Sequence, residues 1–101
     1  MVRHIVLFKF DKKLSSSEKH DLFIRFKTAI ECLPETITFI RHIEVENNIN
    51  TGEDWDICLL SEFESLEDVR RYSVHPNHVA AAGIIKPYLS GRSCVDYTIP
   101  S

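Results

Sequence analysis

Side chains able to move protons are concentrated in one stretch of this chain. Tyr72-Ser73-Val74-His75-Pro76-Asn77-His78 sets a phenol and two imidazoles within seven residues. A neutral imidazole can take the α-proton of a carbonyl compound, and a phenol can donate a hydrogen bond to the enolate oxygen that develops. Pro76 biases His75 out of helical geometry and is itself well tolerated at a first helical position. The stretch therefore reads as a break between two short helices, with His78 in the first turn of the second. There the positive end of the helix dipole disfavours the imidazolium and favours a ring able to accept a proton near neutral pH. Two readings of the pair follow: Tyr72 and His78 act as acid and base, or they hydrogen-bond each other to tie the break down. His75 likewise either caps the second helix or forms a pocket wall.

Other chemistries find little support. His75 and His78 are too few to hold a metal, and a third ligand such as His4 would have to converge from another strand. Cys32, Cys58 and Cys94 are widely spaced and odd in number, with no C-x-x-C pair. They read as reduced, mostly buried thiols of a cytosolic protein. Three glycines, all at turns or helix ends, exclude a phosphate cradle. A net charge of −3 with scattered lysines and arginines argues against a nucleic-acid face. No apolar run approaches the roughly 20 residues of a membrane span, and Met1-Val2-Arg3-His4-Ile5 leads straight into a strand, so a cytoplasmic protein is expected.

The elements that must position Tyr72, His75, His78 and His4 follow from periodicity and caps. Val2 to Phe10 predicts a strand apolar on both faces, with His4 on the face of Val6, Phe8 and Phe10. Ser15-x-x-Glu18 is a capping box that starts a helix with Leu22, Phe23, Phe26, Ile30 and Leu33 as its apolar stripe and Pro34 as its stop. Ile37 to Glu46 and Trp55 to Phe63 predict two antiparallel strands, joined by an Asn/Gly-rich loop tolerant of positive φ. Ser65 opens a short helix through about Tyr72, a second runs from Pro76 to about Lys86, and Arg92 to Thr98 predicts the last strand.

The order β-α-β-β-α(α)-β is that of an α+β, ferredoxin-like fold with a four-stranded antiparallel sheet and helices on one face. At 101 residues the chain reads as one domain, residues 1–101, with room for one core. Strands apolar on both faces leave the uncovered face in need of a partner, which a two-fold homodimer through the sheet faces supplies. An apolar pocket is expected between sheet and helices, with Leu22, Phe23 and Phe26 as walls.

Four segments carry a resemblance over essentially the whole chain: His4-Ile5-Val6-Leu7-Phe8-Lys9-Phe10, Phe63-Glu64-Ser65, Tyr72 to His78, and Val95-Asp96-Tyr97. Together they resemble the stress-responsive dimeric α/β-barrel (Dabb) family. The resemblance implies a homodimer whose two sheets form a barrel. It also implies that no cofactor is required, although magnesium is bound by some members. Its polyketide-cyclase members imply that Tyr72 and His78 promote enolisation and aldol closure, with His4 lining the same pocket. Those members carry a further histidine in the third strand, where this chain has Asp56-Ile57-Cys58, and an aromatic where it has Ala80-Ala81-Ala82-Gly83.

Overall fold

The computed structural model describes residues 1–100. In chain order the elements are β1 (Val2–Phe10), α1 (Ser16–Glu31), a 3-10 turn (Leu33–Glu35), β2 (His42–Asn47), β3 (Ile57–Phe63), α2 (Leu66–Val74), α3 (Pro76–Ala82), a second 3-10 turn (Lys86–Tyr88) and β4 (Leu89–Thr98). The strands form one antiparallel sheet in the order β2-β3-β1-β4. This is the expected ferredoxin-like arrangement.

Alternation along the strands decides what each face meets. His4, Val6, Phe8 and Phe10 of β1 and Ile57, Leu59, Ser61 and Phe63 of β3 are buried beneath the helices. Helix α1 begins where its capping box predicts: Ser15 Oγ accepts from the Glu18 amide at 3.1 Å, and Glu18 Oε1 accepts from the Ser15 amide at 2.8 Å. Its apolar stripe enters the core, where the Phe26 ring meets Phe8 edge to face at 5.5 Å. On the opposite sheet face, Ile5, Leu7 and Leu60 are half-buried while Val95 and Tyr97 are exposed. Arg3 crosses that face to bond Glu62 at 2.8 Å and Tyr97 at 3.2 Å.

Several boundaries differ from the sequence reading. β2 begins at His42, because the chain after Pro34 keeps turning through an Ile37 amide bond to Leu33 O at 2.7 Å. Ile37 and Ile40 are buried from irregular backbone, and their apolar spacing imitates a strand. α3 stops at Ala82, and β4 starts three residues earlier than Arg92, at Leu89. In the 48–54 loop no residue takes positive φ; Asn48 and Asn50 instead accept backbone amides through their side chains. The thiols are not mostly buried: Cys32 and Cys94 are exposed and Cys58 is half-buried. Cys32 caps a helix end, and Cys94 lies on an edge strand beyond the reach of the helices. Among the described residues, no helix is long and apolar enough to cross a membrane.

Candidate functional site

Helix α2 carries Tyr72 on its buried side. Ser65 starts the helix by accepting the Asp68 amide at 3.2 Å, and the register then turns Val69 and Tyr72 inward. The Tyr72 ring packs 5.0 Å from Phe63 and is 0% exposed. Its hydroxyl is buried without a hydrogen-bond partner, an arrangement that costs about 1–3 kcal/mol of desolvation. Burial also pushes the phenol well above its ordinary pKa, so the group stays protonated and keeps an O–H to donate to a substrate oxygen.

The helix break holds the two imidazoles in different ways. His75 is extended and takes the N-cap position of α3, its Nδ1 accepting from the Asn77 amide at 3.1 Å. His78 lies in the first turn, its ring 4.3 Å from that of Tyr72 and tilted by 49°. The Ser73 carbonyl can only accept, so the His78 Nδ1–H donates to it at 3.0 Å and the lone pair falls on Nε2. Burial lowers the His78 pKa, the Ser73 carbonyl opposes that shift, and the charges of His4, Arg92 and His75 add to it. The neutral ring expected from sequence is therefore owed first to desolvation. Tyr72 and His78 stack without a mutual hydrogen bond, which corrects the reading of the pair as a tie.

His4 approaches from β1. Its ring meets Tyr72 edge to face at 6.3 Å, and its Nδ1 lies 2.6 Å from Asp96 Oδ1. The antiparallel register places Asp96 directly opposite His4 and Cys94 opposite Val6, on the same face. Cys94 Sγ is 3.5 Å from His4 Nδ1. Asp96 and Cys94 carry no role in the sequence reading. The signal lay in their alternation with Val95 and Tyr97, but it needed the β1–β4 register to be legible.

A cavity of about 260 Å³ opens between the sheet and the segment that follows α3, and none of His4, Tyr72, His75 and His78 lines it. Phe8, Phe26, Ala82, Ile85 and Leu89 supply apolar wall, and Lys86 and Arg92 supply positive charge. Of the three expected walls, Phe26 lines this cavity. Leu22 lines a separate surface hollow with Leu14 and Tyr88, and Phe23 is packed in the core. Arg92 links cavity and cluster, since its charge also acts on His78 and Cys94. Magnesium takes a shell of oxygens, and a thiol, an imidazole and one carboxylate do not fit it.

A model of the stress responsive A/B barrel domain, Dabb, matches residues 2–99. The chain belongs to the Dabb family. Among solved structures, this Dabb chain is similar to a dimeric protein of unknown function and ferredoxin-like fold from Bacteroides fragilis, with 49% identity and a TM-score of 0.94. That match covers 97% of this chain and 95% of the other. A dimeric ferredoxin-like protein of unknown function from Thermobifida fusca is 25% identical with a TM-score of 0.81, over 97% of this chain and 90% of its own. Among curated proteins, the chain is 23% identical to olivetolic acid cyclase of Cannabis sativa over 97 residues, 96% of this chain and 95% of the cyclase.

Proposed function

We propose that this Dabb domain is a cytoplasmic homodimer, joined sheet face to sheet face, that binds a small molecule in the cavity lined by Phe8, Phe26, Ile85, Lys86 and Arg92. The cavity carries this reading. Five apolar side chains, Ala82 among them, and two cations suit a compact, mostly apolar ligand bearing a carbonyl or carboxylate oxygen. The half-apolar sheet face and the dimeric state of the Bacteroides fragilis relative support the assembly. Organic extraction of the purified protein, followed by mass spectrometry, tests the binding. A stoichiometric small molecule retained by the wild type and lost on Phe26→Trp, which fills the cavity, is expected. An empty cavity that also fails to take up a fluorescent fatty acid would sink the reading.

A second reading is favoured by one observation, the unpartnered Tyr72 hydroxyl beside a neutral His78. In this reading the chain is an enzyme of the polyketide cyclase and lyase type. His78 Nε2 removes an α-proton, the Tyr72 hydroxyl donates to the enolate oxygen, and the carbanion closes on a second carbonyl in an aldol step. The distant likeness to a cyclase supports it. Because Tyr72 is 0% exposed, substrate must part the side chains that separate it from the cavity. Exchange of the methyl protons of acetophenone into D2O, followed by NMR, reports enolisation without knowledge of the natural substrate. Protein-dependent exchange should fall by about 10²-fold or more in His78→Ala and in Tyr72→Phe while the dimer persists. Exchange no faster than in buffer would exclude the enzyme and leave the binder.

A further inference from the structure

The cluster on the β1–β4 pair has a use beyond either reading. We propose that His4, Cys94 and Asp96 form a binding site for a divalent cation of zinc type. Among the described residues these three are brought together so that one donor atom from each lies within 4.8 Å of the others. Their composition selects the ion. Thiolate and imidazole suit zinc or cobalt and bind the hard, oxygen-seeking magnesium and calcium poorly. One thiolate and one carboxylate also balance the charge of a dication.

The spacing agrees with the chemistry. Zinc–sulfur bonds near 2.3 Å and zinc–nitrogen or –oxygen bonds near 2.0 Å, set at tetrahedral angles, require S···N and S···O separations of about 3.5 Å. Cys94 Sγ lies 3.5 Å from His4 Nδ1 and 3.7 Å from Asp96 Oδ2. The His4–Asp96 contact runs through the other carboxylate oxygen, Nδ1 to Oδ1 at 2.6 Å, and is held by a hydrogen bond. It opens by about 0.7 Å when the ion replaces the shared proton, a movement within reach of the Asp96 side chain alone. Three protein ligands leave the fourth position for water or a ligand oxygen.

The backbone holds the donors in place. His4 is 5% exposed on a strand paired on both sides, so its ring is fixed by packing. Asp96 faces it across the ladder, and Cys94 stands two residues earlier on the same face of β4. A histidine–aspartate hydrogen bond used only for support would not need a thiol within ligating distance of both partners. The edge position of β4 leaves the thiol and carboxylate open to an arriving ion. Arg92 is the cation that ion must displace, and its long side chain can turn away into the neighbouring cavity.

Cobalt(II) titration of the intact protein tests the site, because a cobalt–thiolate bond has its own near-ultraviolet charge-transfer absorption. Saturation at one ion per chain is expected, with that absorption and the strong visible bands of four-coordinate cobalt. Cys94→Ser should abolish the charge-transfer absorption and weaken binding by about tenfold or more, Asp96→Asn should weaken it similarly, and Cys32→Ser should change neither. Zinc at about a hundredfold excess over its Kd should raise the wild-type Tm by roughly 10 °C and that of Cys94→Ser by no more than about half as much. Wild-type protein without the charge-transfer absorption, or Cys94→Ser binding as tightly as wild type, would overturn the site. Circular dichroism of each variant separates a lost ligand from a lost fold. If Cys94→Ser does not fold, the Asp96→Asn titration decides.

Discussion

At the scale of single residues, Tyr72 and His78 carry the strongest departures from ordinary behaviour. The Tyr72 hydroxyl is buried with nothing to bond, so it weakens the fold rather than supporting it. Tyr72→Phe is therefore expected to raise stability by about 1 kcal/mol, read as a higher urea midpoint at unchanged slope. A loss of stability of similar size would mean that the hydroxyl holds the helix break together. His78 behaves in the opposite sense with pH. Its folded pKa lies below the ordinary 6.5, so as pH falls the unfolded chain binds the proton first. Stability from this group is complete above about pH 6.5 and declines as pH drops toward the folded value. Urea midpoints for wild type and His78→Gln between about pH 7.5 and 5 should diverge, with the wild type falling more steeply. The groups facing His78 are Tyr72 from α2, His75 beside it, His4 from β1 and Arg92 from β4; three of these can carry positive charge and deepen the effect.

At the scale of elements, two helix starts are set by single side chains. Ser15 and Glu18 satisfy each other's amides at the head of α1, and both are exposed, so little packing is disturbed by removing one. Ser15→Ala should cost about 1 kcal/mol in urea unfolding. His75 caps α3 through a ring nitrogen, an uncommon use of imidazole. His75→Ala should cost about 1 kcal/mol and His75→Asn should restore it, since asparagine caps well. Neither change should alter ketone exchange or ligand retention. An effect there, with stability intact, would move His75 from the helix end to the pocket wall.

At the scale of the whole molecule, the proposed homodimer rests on the uncovered sheet face. Ile5, Leu7 and Leu60 are half-buried beside exposed Val95 and Tyr97, and the Arg3–Glu62 pair crosses the same face. Placing a charge at its centre should oppose association, because two copies would bury two like charges. Ile5→Asp is expected to give a monomeric mass by light scattering at micromolar concentration, where the wild type gives a dimeric one. A monomeric wild type would end the dimer reading.

Local physics made most of the architecture legible. The alternation of β1, the Ser15 capping box and the stripe Leu22-Phe23-Phe26-Ile30 each depend on residues within a turn or two of one another, whereas α1 ends at Glu31, short of the expected stop at Pro34. The same locality misled at Ile37 and Ile40, where burial comes from an irregular segment pressed into the core. The site was legible only in its contiguous part. Tyr72, His75 and His78 lie in one stretch, and their order around Pro76 determined a cap, a helix start and a facing phenol. His4 and Asp96 are 92 positions apart, and only the β1–β4 register brings them to 2.6 Å with Cys94 beside them. Tertiary packing alone also decided that the Tyr72 hydroxyl has no partner and that the Cys94 thiol is open to solvent. Sequence periodicity specifies which face of an element a side chain takes; what waits on that face is set by chain that arrives from elsewhere.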